Sequence, residues 1–507
     1  MVDGKKSHRT QLFTIHDPRS TISTMSSPVT HLTDFSDRIS PMLVKELRQG
    51  LRAKTFIAVF LALQVFLAVM LFSAGAASTS DHVGAVVSGI IFTFFAIAVL
   101  IVQPLRGTAA LSSEVKGNTI DMMALTRLSA WRIVFGKWVA IVSQSALMLS
   151  TIIPYLILRY FFGGMNLLAE MVFLALLFLT SMALTAVTVG LSGCSSVVVR
   201  SLIPILGLPI MLWSLLVMSL SSGFRGSSGF LEICALDNTE SRLAVALYVA
   251  AIAYIGGSML SLGASLIAPA AENHSLLRRL AALALLLALF AATLLGETNT
   301  GAMVALVSVI AIPAIILALT ESAPLVQTVC KPFAKLGAVG KLLGWLLYPC
   351  WSSGILFAIV IGLISLAGVF AHSAIASSFD AEEWVVIAAL FGGLYFPAVW
   401  QVFLFRGDGQ RIAHYLLLLV GSFILLGVLA ALSNSMNNAD FLWFFAWNPL
   451  AFIAMLDDSS ASDSVLLAGA VVVDALLLLI LFYGAIMDIR KSEPVVREAE
   501  ASIQHAA

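Results

Sequence analysis

The sequence predicts an all-α polytopic membrane protein: about twelve transmembrane helices in two six-helix halves, an amphipathic helix ahead of the first span, and both termini cytoplasmic. Three observations predict it. Hydrophobic residues make up 60% of the 507 residues and charged residues 11%, against about 45–50% and about 25% in soluble domains, so one aqueous core cannot hide the apolar surface. Apolar runs of roughly 20 residues recur along the chain; at 1.5 Å per residue each can cross about 30 Å of hydrocarbon. Lysine and arginine crowd into alternate loops, as cytoplasmic loops do.

Residues 1–38 are polar and rich in Ser, Thr and His. They lack the basic start and apolar core of a signal peptide and read as a disordered cytoplasmic tail, with Met25 as another plausible start. Within 41–55, Met42, Leu43, Leu47 and Leu51 oppose Lys45, Arg48 and Arg52, so this helix is expected in the headgroup plane. Spans are then expected near 56–77, 83–104, 138–161, 167–191, 201–221, 241–268, 280–296, 301–320, 349–371, 384–405, 412–433 and 464–487. The aromatic stretch 441–456 is too short and reads as an interfacial or re-entrant segment. Pro154, Pro313 and Pro397 fall inside spans, and Gly256, Gly257 and Ser258 favour close helix contact.

Charge tests the count. Lys45, Arg48, Arg52 and Lys54 precede the first span; Arg106, Lys116, Arg127, Arg132 and Lys137 lie in loop 105–137. Arg200, Arg278, Arg279, Lys331, Lys335, Lys341, Arg406 and Arg411 fall on the same side, with Arg490, Lys491 and Arg497 at the C-terminus. The opposite loops carry Asp81, Glu232, Asp237, Glu240, Asp380, Glu382, Glu383, Asp457, Asp458 and Asp463, and only Arg159, Arg225 and Arg242 break the pattern. A miscounted span would invert everything after it, and nothing inverts.

A polar break at 271–278 divides the chain into tail 1–38, a half over 39–270, a half over 271–487 and a cytoplasmic C-terminal tail over 488–507. If the halves repeat, loop 105–137 corresponds to 321–348. Each has a Glu near its start (Glu114, Glu321) and a Gly-Lys pair before the next span (Gly136-Lys137, Gly340-Lys341).

Loop 105–137 is dense in charge for so apolar a chain. Asn118 or Thr119 can cap a short helix from Ile120, with Asp121 in its first turn, and Ser129 can cap a second from Ala130. Gly117 permits a sharp turn into the first. The loop is expected to form two short helices around a knob at Leu125–Ser129.

Two strings carry a family resemblance. Glu114-x-Lys116-Gly117-x-Thr119, then Leu125-Thr126-x-Leu128-Ser129, then Gly136-Lys137 resembles the cytoplasmic loop between the second and third spans of ATP-binding-cassette type-2 permeases. "PMLVKELRQGLRAKTF" (Pro41 to Phe56), with Lys45, Glu46 and Arg48, looks like that family's segment before the first span. Asn118 is inserted between Gly and Thr, and Arg127 stands where Pro is usual. The likeness covers about 39–270. It implies a permease subunit in the cell inner membrane whose loop docks on a separate cytoplasmic ATPase, with Glu114 suited to a charged contact there. Membrane lipid is a further partner it implies, and a second permease chain is another that it allows.

The chain itself carries no phosphate loop. GxxxxGK[ST] fails at Gly136-Lys137, where Trp131 and Trp138 hold the other positions, and at Gly340-Lys341, where Lys335 and Leu342 do. Cys194, Cys234, Cys330 and Cys350 and the eight histidines are scattered, so no metal site or cofactor is expected; neither is a catalytic residue nor a nucleic-acid partner. Asp474 is the clearest ionisable group within a span and a candidate intramembrane polar site. The competing readings are an ion-coupled carrier of twelve spans and a non-transporting scaffold that uses tail 1–38.

Overall fold

In hydrocarbon, long runs of Leu, Val, Ile, Ala and Phe fold as helices because each backbone group must then bond within its own segment. The computed structural model describes residues 41–76, 91–112, 114, 117, 129–160, 166–194, 196–202, 234–269, 272–295, 300–376, 379–404, 411–436, 440–456 and 461–504, and all regular structure among them is helical.

In the first half, α1 (Pro41–Leu51) leads into α2 (Lys54–Ala76). Then come α3 (Ile91–Gly107), α4 (Ala130–Tyr160), α5 (Leu167–Leu191), the short α6 (Val197–Leu202) and α7 (Thr239–Ile267). The second half begins with α8 (Ser275–Leu295) and α9 (Thr300–Leu319), followed by the hairpin of α10 (Gln327–Ala334) and α11 (Gly337–Leu347). It continues with α12 (Trp351–Ala376), α13 (Ala381–Leu404), α14 (Arg411–Met436), the five-residue α15 (Ala451–Met455) and α16 (Asp463–Gln504).

Among the described residues nine helices are long and apolar enough to cross a membrane: α2, α4, α5, α7, α8, α12, α13, α14 and α16. Two more predicted runs appear as α3, described from Ile91, and α9, each with a shorter apolar stretch. The run 201–221 lies outside the described residues apart from its first two. Stretch 441–456 forms a 3-10 turn over Asp440–Phe445 and the short α15, not a span. Residues 488–504 are not a separate tail but the continuation of α16.

Each half has its own core. Leu67, Ile91, Phe95, Met148 and Leu177 are buried together between α2, α3, α4 and α5. Leu286, Ile315, Phe357, Tyr395 and Leu481 centre the second core, which Tyr254 of α7 joins. The most extensive contact of the first half is α5 on α7, that of the second α13 on α16. These are the fourth and sixth predicted spans of each half.

The crossing of α5 and α7 rests on missing side chains. A Cβ on Gly263 would lie 2.9 Å from the Cα of Gly190, and one on Gly190 would overlap the backbone of Met259. Gly256, expected to make the close contact, stands at ordinary distance from Ala183, and Gly257 faces open space. Pro154, Pro313 and Pro397 sit inside continuous helices. In α3 a π-helical turn over Ile97–Val102 disturbs the ladder, and the Ser181 hydroxyl of α5 donates to the Val99 carbonyl at 2.6 Å. A buried carbonyl off the regular ladder needs such a partner.

Candidate functional site

Helical spacing aims one polar face of α1, α3 and α4 at a common point. Glu46 and Gly50 are four apart on α1, Gln103 and Arg106 three apart on α3, and Lys137 and Gln144 two turns apart on α4. The Lys137 side chain is 7% exposed, and its Nζ reaches Glu114 Oε1 at 2.9 Å and Glu46 Oε1 at 3.3 Å. One ammonium thus ties together both strings of the sequence resemblance: the helix before the first span, the start of the loop and its closing Gly-Lys pair. An ion pair this enclosed is costly to break, about 3–5 kcal/mol when one partner is removed.

One turn further along α1 and two along α4, Arg106 donates to Gln144 Oε1 and, at 3.3 Å, to Gln103 Oε1. It also donates to the Gly50 carbonyl at 3.4 Å, and its guanidinium carbon lies 5.9 Å from the centre of the Phe56 ring. Gly50 lets the helices close, since a Cβ there would overlap the Gln144 amide. The approach to Glu114 is pinned as well: the Leu111 N–H donates to Ser192 Oγ at 3.0 Å, and Gly107 packs against Thr188.

The other predicted residues fall around this cluster. The Ser129 carbonyl accepts from the N–H groups of Arg132 and Ile133 at 3.0 and 3.3 Å, so Ser129 opens α4 as expected. A Cβ on Gly136 would meet nothing within 4 Å among the described residues, and Gly117 is exposed. Lys45 and Arg48 are exposed on α1, which Pro41 begins. Proline suits a first helical position, where its missing N–H costs nothing. Thr119, Leu125, Thr126 and Leu128, with the proposed knob and the helix from Ile120, lie outside the described residues. Glu114, read as a surface for a partner, is 13% exposed and engaged by Lys137 within the chain.

The second half repeats the theme with different residues. Glu321, just past α9, pairs with Arg278 and Arg279 at the start of α8. Arg279 is 1% exposed; it also donates to the Leu346 carbonyl at 2.6 Å and Ser353 Oγ at 2.7 Å, with its guanidinium 5.2 Å from the Phe357 ring centre. Glu321 therefore matches Glu114 in role, but Gly340-Lys341 does not match Gly136-Lys137. Lys341 is 38% exposed, 3.8 Å from Glu500. The α10–α11 hairpin instead rests on α16, where Val329, Cys330 and Tyr348 are buried with Val496 and Ala499. Burial pushes the Cys330 thiol up to about 11.

Sequence reasoning counted Arg106, Arg278 and Arg279 as loop charges and missed their places in these clusters. The available signal was an Arg or Gln set at helical spacing just inside an apolar run. Asp474 lies well inside α16, 7% exposed, against Gly392 of α13 and Pro449. Compared with known protein families, curated proteins and solved structures, the chain finds no match.

Proposed function

We propose that this chain is the permease subunit of an ATP-driven, ATP-binding-cassette type-2 transporter, an exporter of the cell inner membrane with twelve spans and both termini cytoplasmic. A separate ATPase supplies the energy. Its closure moves loop 105–137 and rocks the spans as rigid bodies between two arrangements. The observation that carries the reading is the Glu46–Lys137–Glu114 cluster. A loop that receives a push must be fixed to the helices it is to move, and this cluster joins its start, its end and α1.

The test is to purify the chain from its native membrane in mild detergent, beside a Glu114→Ala, Leu128→Asp variant whose thermal melting is followed in parallel. A phosphate-loop ATPase retained by the wild type and lost by a folded variant is the expected result. Retention by both moves the docking site elsewhere on the chain. No ATPase with either sinks the reading and favours an ion-coupled carrier, for which Asp474, an acid well inside the bundle, is the supporting observation.

A further inference from the structure

One end of the second half is closed by segment 440–456, which folds back between α13, α14 and α16. Its middle is a turn. The Asn448 side chain, 1% exposed, accepts from the Leu450 N–H at 3.3 Å, and the Asn448 carbonyl accepts from the Ala451 N–H at 2.9 Å. Three glycines on the facing helices make room for it. A Cβ on Gly393 would meet the Leu450 side chain at 2.7 Å, one on Gly469 the Phe452 ring at 2.8 Å, and one on Gly392 the Pro449 ring at 2.7 Å.

The Cβ on Gly392 would also overlap Asp474 Oδ1. The carboxylate thus fills the floor of this notch, about 16 Å along α16 from Asp463 at 1.5 Å per residue. It lies near the level where an uncompensated charge costs about 2.5–3.5 kcal/mol on insertion scales. Oδ1 is buried, and among the described residues nothing donates a hydrogen bond to it. Among the described residues no cation pairs with Asp474.

The elements packed around it offer little else that is charged or titratable. α13 presents Tyr395, whose hydroxyl donates to the Ala358 carbonyl at 2.8 Å, and has Glu382 and Glu383 only in its first turn. α14 presents Tyr415, whose hydroxyl donates to the Leu394 carbonyl at 2.6 Å, and carries Arg411 and His414 in its first turn. Segment 440–456 has Asp440 at its start and no basic residue, and α12 has His372 near its end. A methyl group at Gly392 would overlap the carboxylate itself and the Pro449 ring, so the α13 backbone closes directly on Oδ1 from that side. A hard metal cation takes about six oxygens or more, and both tyrosine protons are already committed to carbonyls. A proton needs one oxygen.

We propose that Asp474 is a proton-binding site inside the bundle: Oδ1 holds a proton while segment 440–456 is seated in the glycine notch, and releases it to water when that segment moves out. The site goes beyond the ATP-driven reading and does not depend on it, and its test requires no ATPase.

The experiment is infrared difference spectroscopy on the full chain in lipid bilayers, exchanged between acidic and alkaline buffers in water and in heavy water. The wild type is expected to show a protonated-carboxyl C=O band that titrates with pH, shifts in heavy water and is missing from Asp474→Asn. Sodium and potassium buffers are expected to give the same titration. Gly392→Ala, which crowds the notch but keeps the acid, is expected to move the midpoint, whereas Gly421→Ala, whose methyl meets nothing within 4 Å, leaves it in place. Identical spectra for wild type and Asp474→Asn would overturn the proposal. So would a band insensitive to pH, one abolished by sodium alone, or a midpoint that Gly392→Ala leaves unmoved.

Discussion

The Nζ of Lys137 lies 2.9 Å from Glu114 Oε1 and bridges on to Glu46, 91 residues away in sequence. Two carboxylates share one buried ammonium. Lys137→Met therefore leaves like charges facing each other, and a loss of about 3–5 kcal/mol is expected. In a double-mutant cycle with Glu46→Gln, the two changes are expected to couple by about 0.5–3 kcal/mol. Thermal melting of the four proteins in detergent checks this; strict additivity would mean that the Glu46 contact contributes nothing.

Arg279 serves Glu321, the Leu346 carbonyl and Ser353 with one planar group. A lysine can supply the charge but not the fork of donors. Arg279→Lys is expected to lower the melting temperature clearly, and Arg279→Met more so, because the latter leaves Glu321 with Arg278 alone. Equal melting of Arg279→Lys and wild type would show that charge suffices.

The helix crossing at Gly190 and Gly263 predicts a sharp contrast between glycines. Gly190→Ala sets a methyl against the Met259 backbone, which cannot swing aside as a side chain can. A cost of about 1–3 kcal/mol is expected, the usual range for overpacking. Gly136→Ala meets nothing within 4 Å among the described residues and is expected to melt with the wild type or slightly above it, since alanine favours helix by up to about 1 kcal/mol.

Burial pushes the thiols of Cys194, Cys234 and Cys330 up to about 11 and raises that of Cys350. The reactive thiolate is the charged form that burial disfavours, so its population at neutral pH falls about tenfold per unit. Maleimide is expected to leave all four cysteines unlabelled in the folded chain near pH 7 and to label all four after denaturation in detergent. Raising the pH toward 11 without unfolding is expected to increase labelling; rapid labelling at pH 7 would contradict the burial.

The helices were legible where apolar runs reached spanning length. The run 167–191 coincides with α5, which Asn166 caps by accepting from the Ala169 N–H. Residues 488–507, rich in Glu, Arg and Lys, read as a cytoplasmic C-terminal tail, since nothing local shows that Val496 and Ala499 pack on Cys330 and Tyr348. That helix owes its place to tertiary contact. The cluster of Glu46, Glu114 and Lys137 was legible as motifs but not as geometry. Glu46, Glu114 and Lys137 stood out singly, yet sequence does not tell which carboxylate meets which ammonium. Glu321 stood out only as the counterpart of Glu114 at the start of its loop, and its partners, Arg278 and Arg279, precede it by a whole helical hairpin.

α16 runs unbroken for 42 residues, a rod of about 63 Å at 1.5 Å per residue. Its far end is gripped by the α10–α11 hairpin through Gln327, which bonds Glu498 at 2.6 Å, and about 36 Å away it carries Asp474. Geometry makes such a rod a lever arm. A tilt of roughly 5° about one end sweeps the other through about 3 Å over that length, comparable to the spacing of two bonded atoms across a hydrogen bond. Pro494 sits between the grip and the rest of the rod, at the point where a proline can bend a helix. How stiffly that joint transmits force would set how far a displacement at the hairpin is felt beside Gly392.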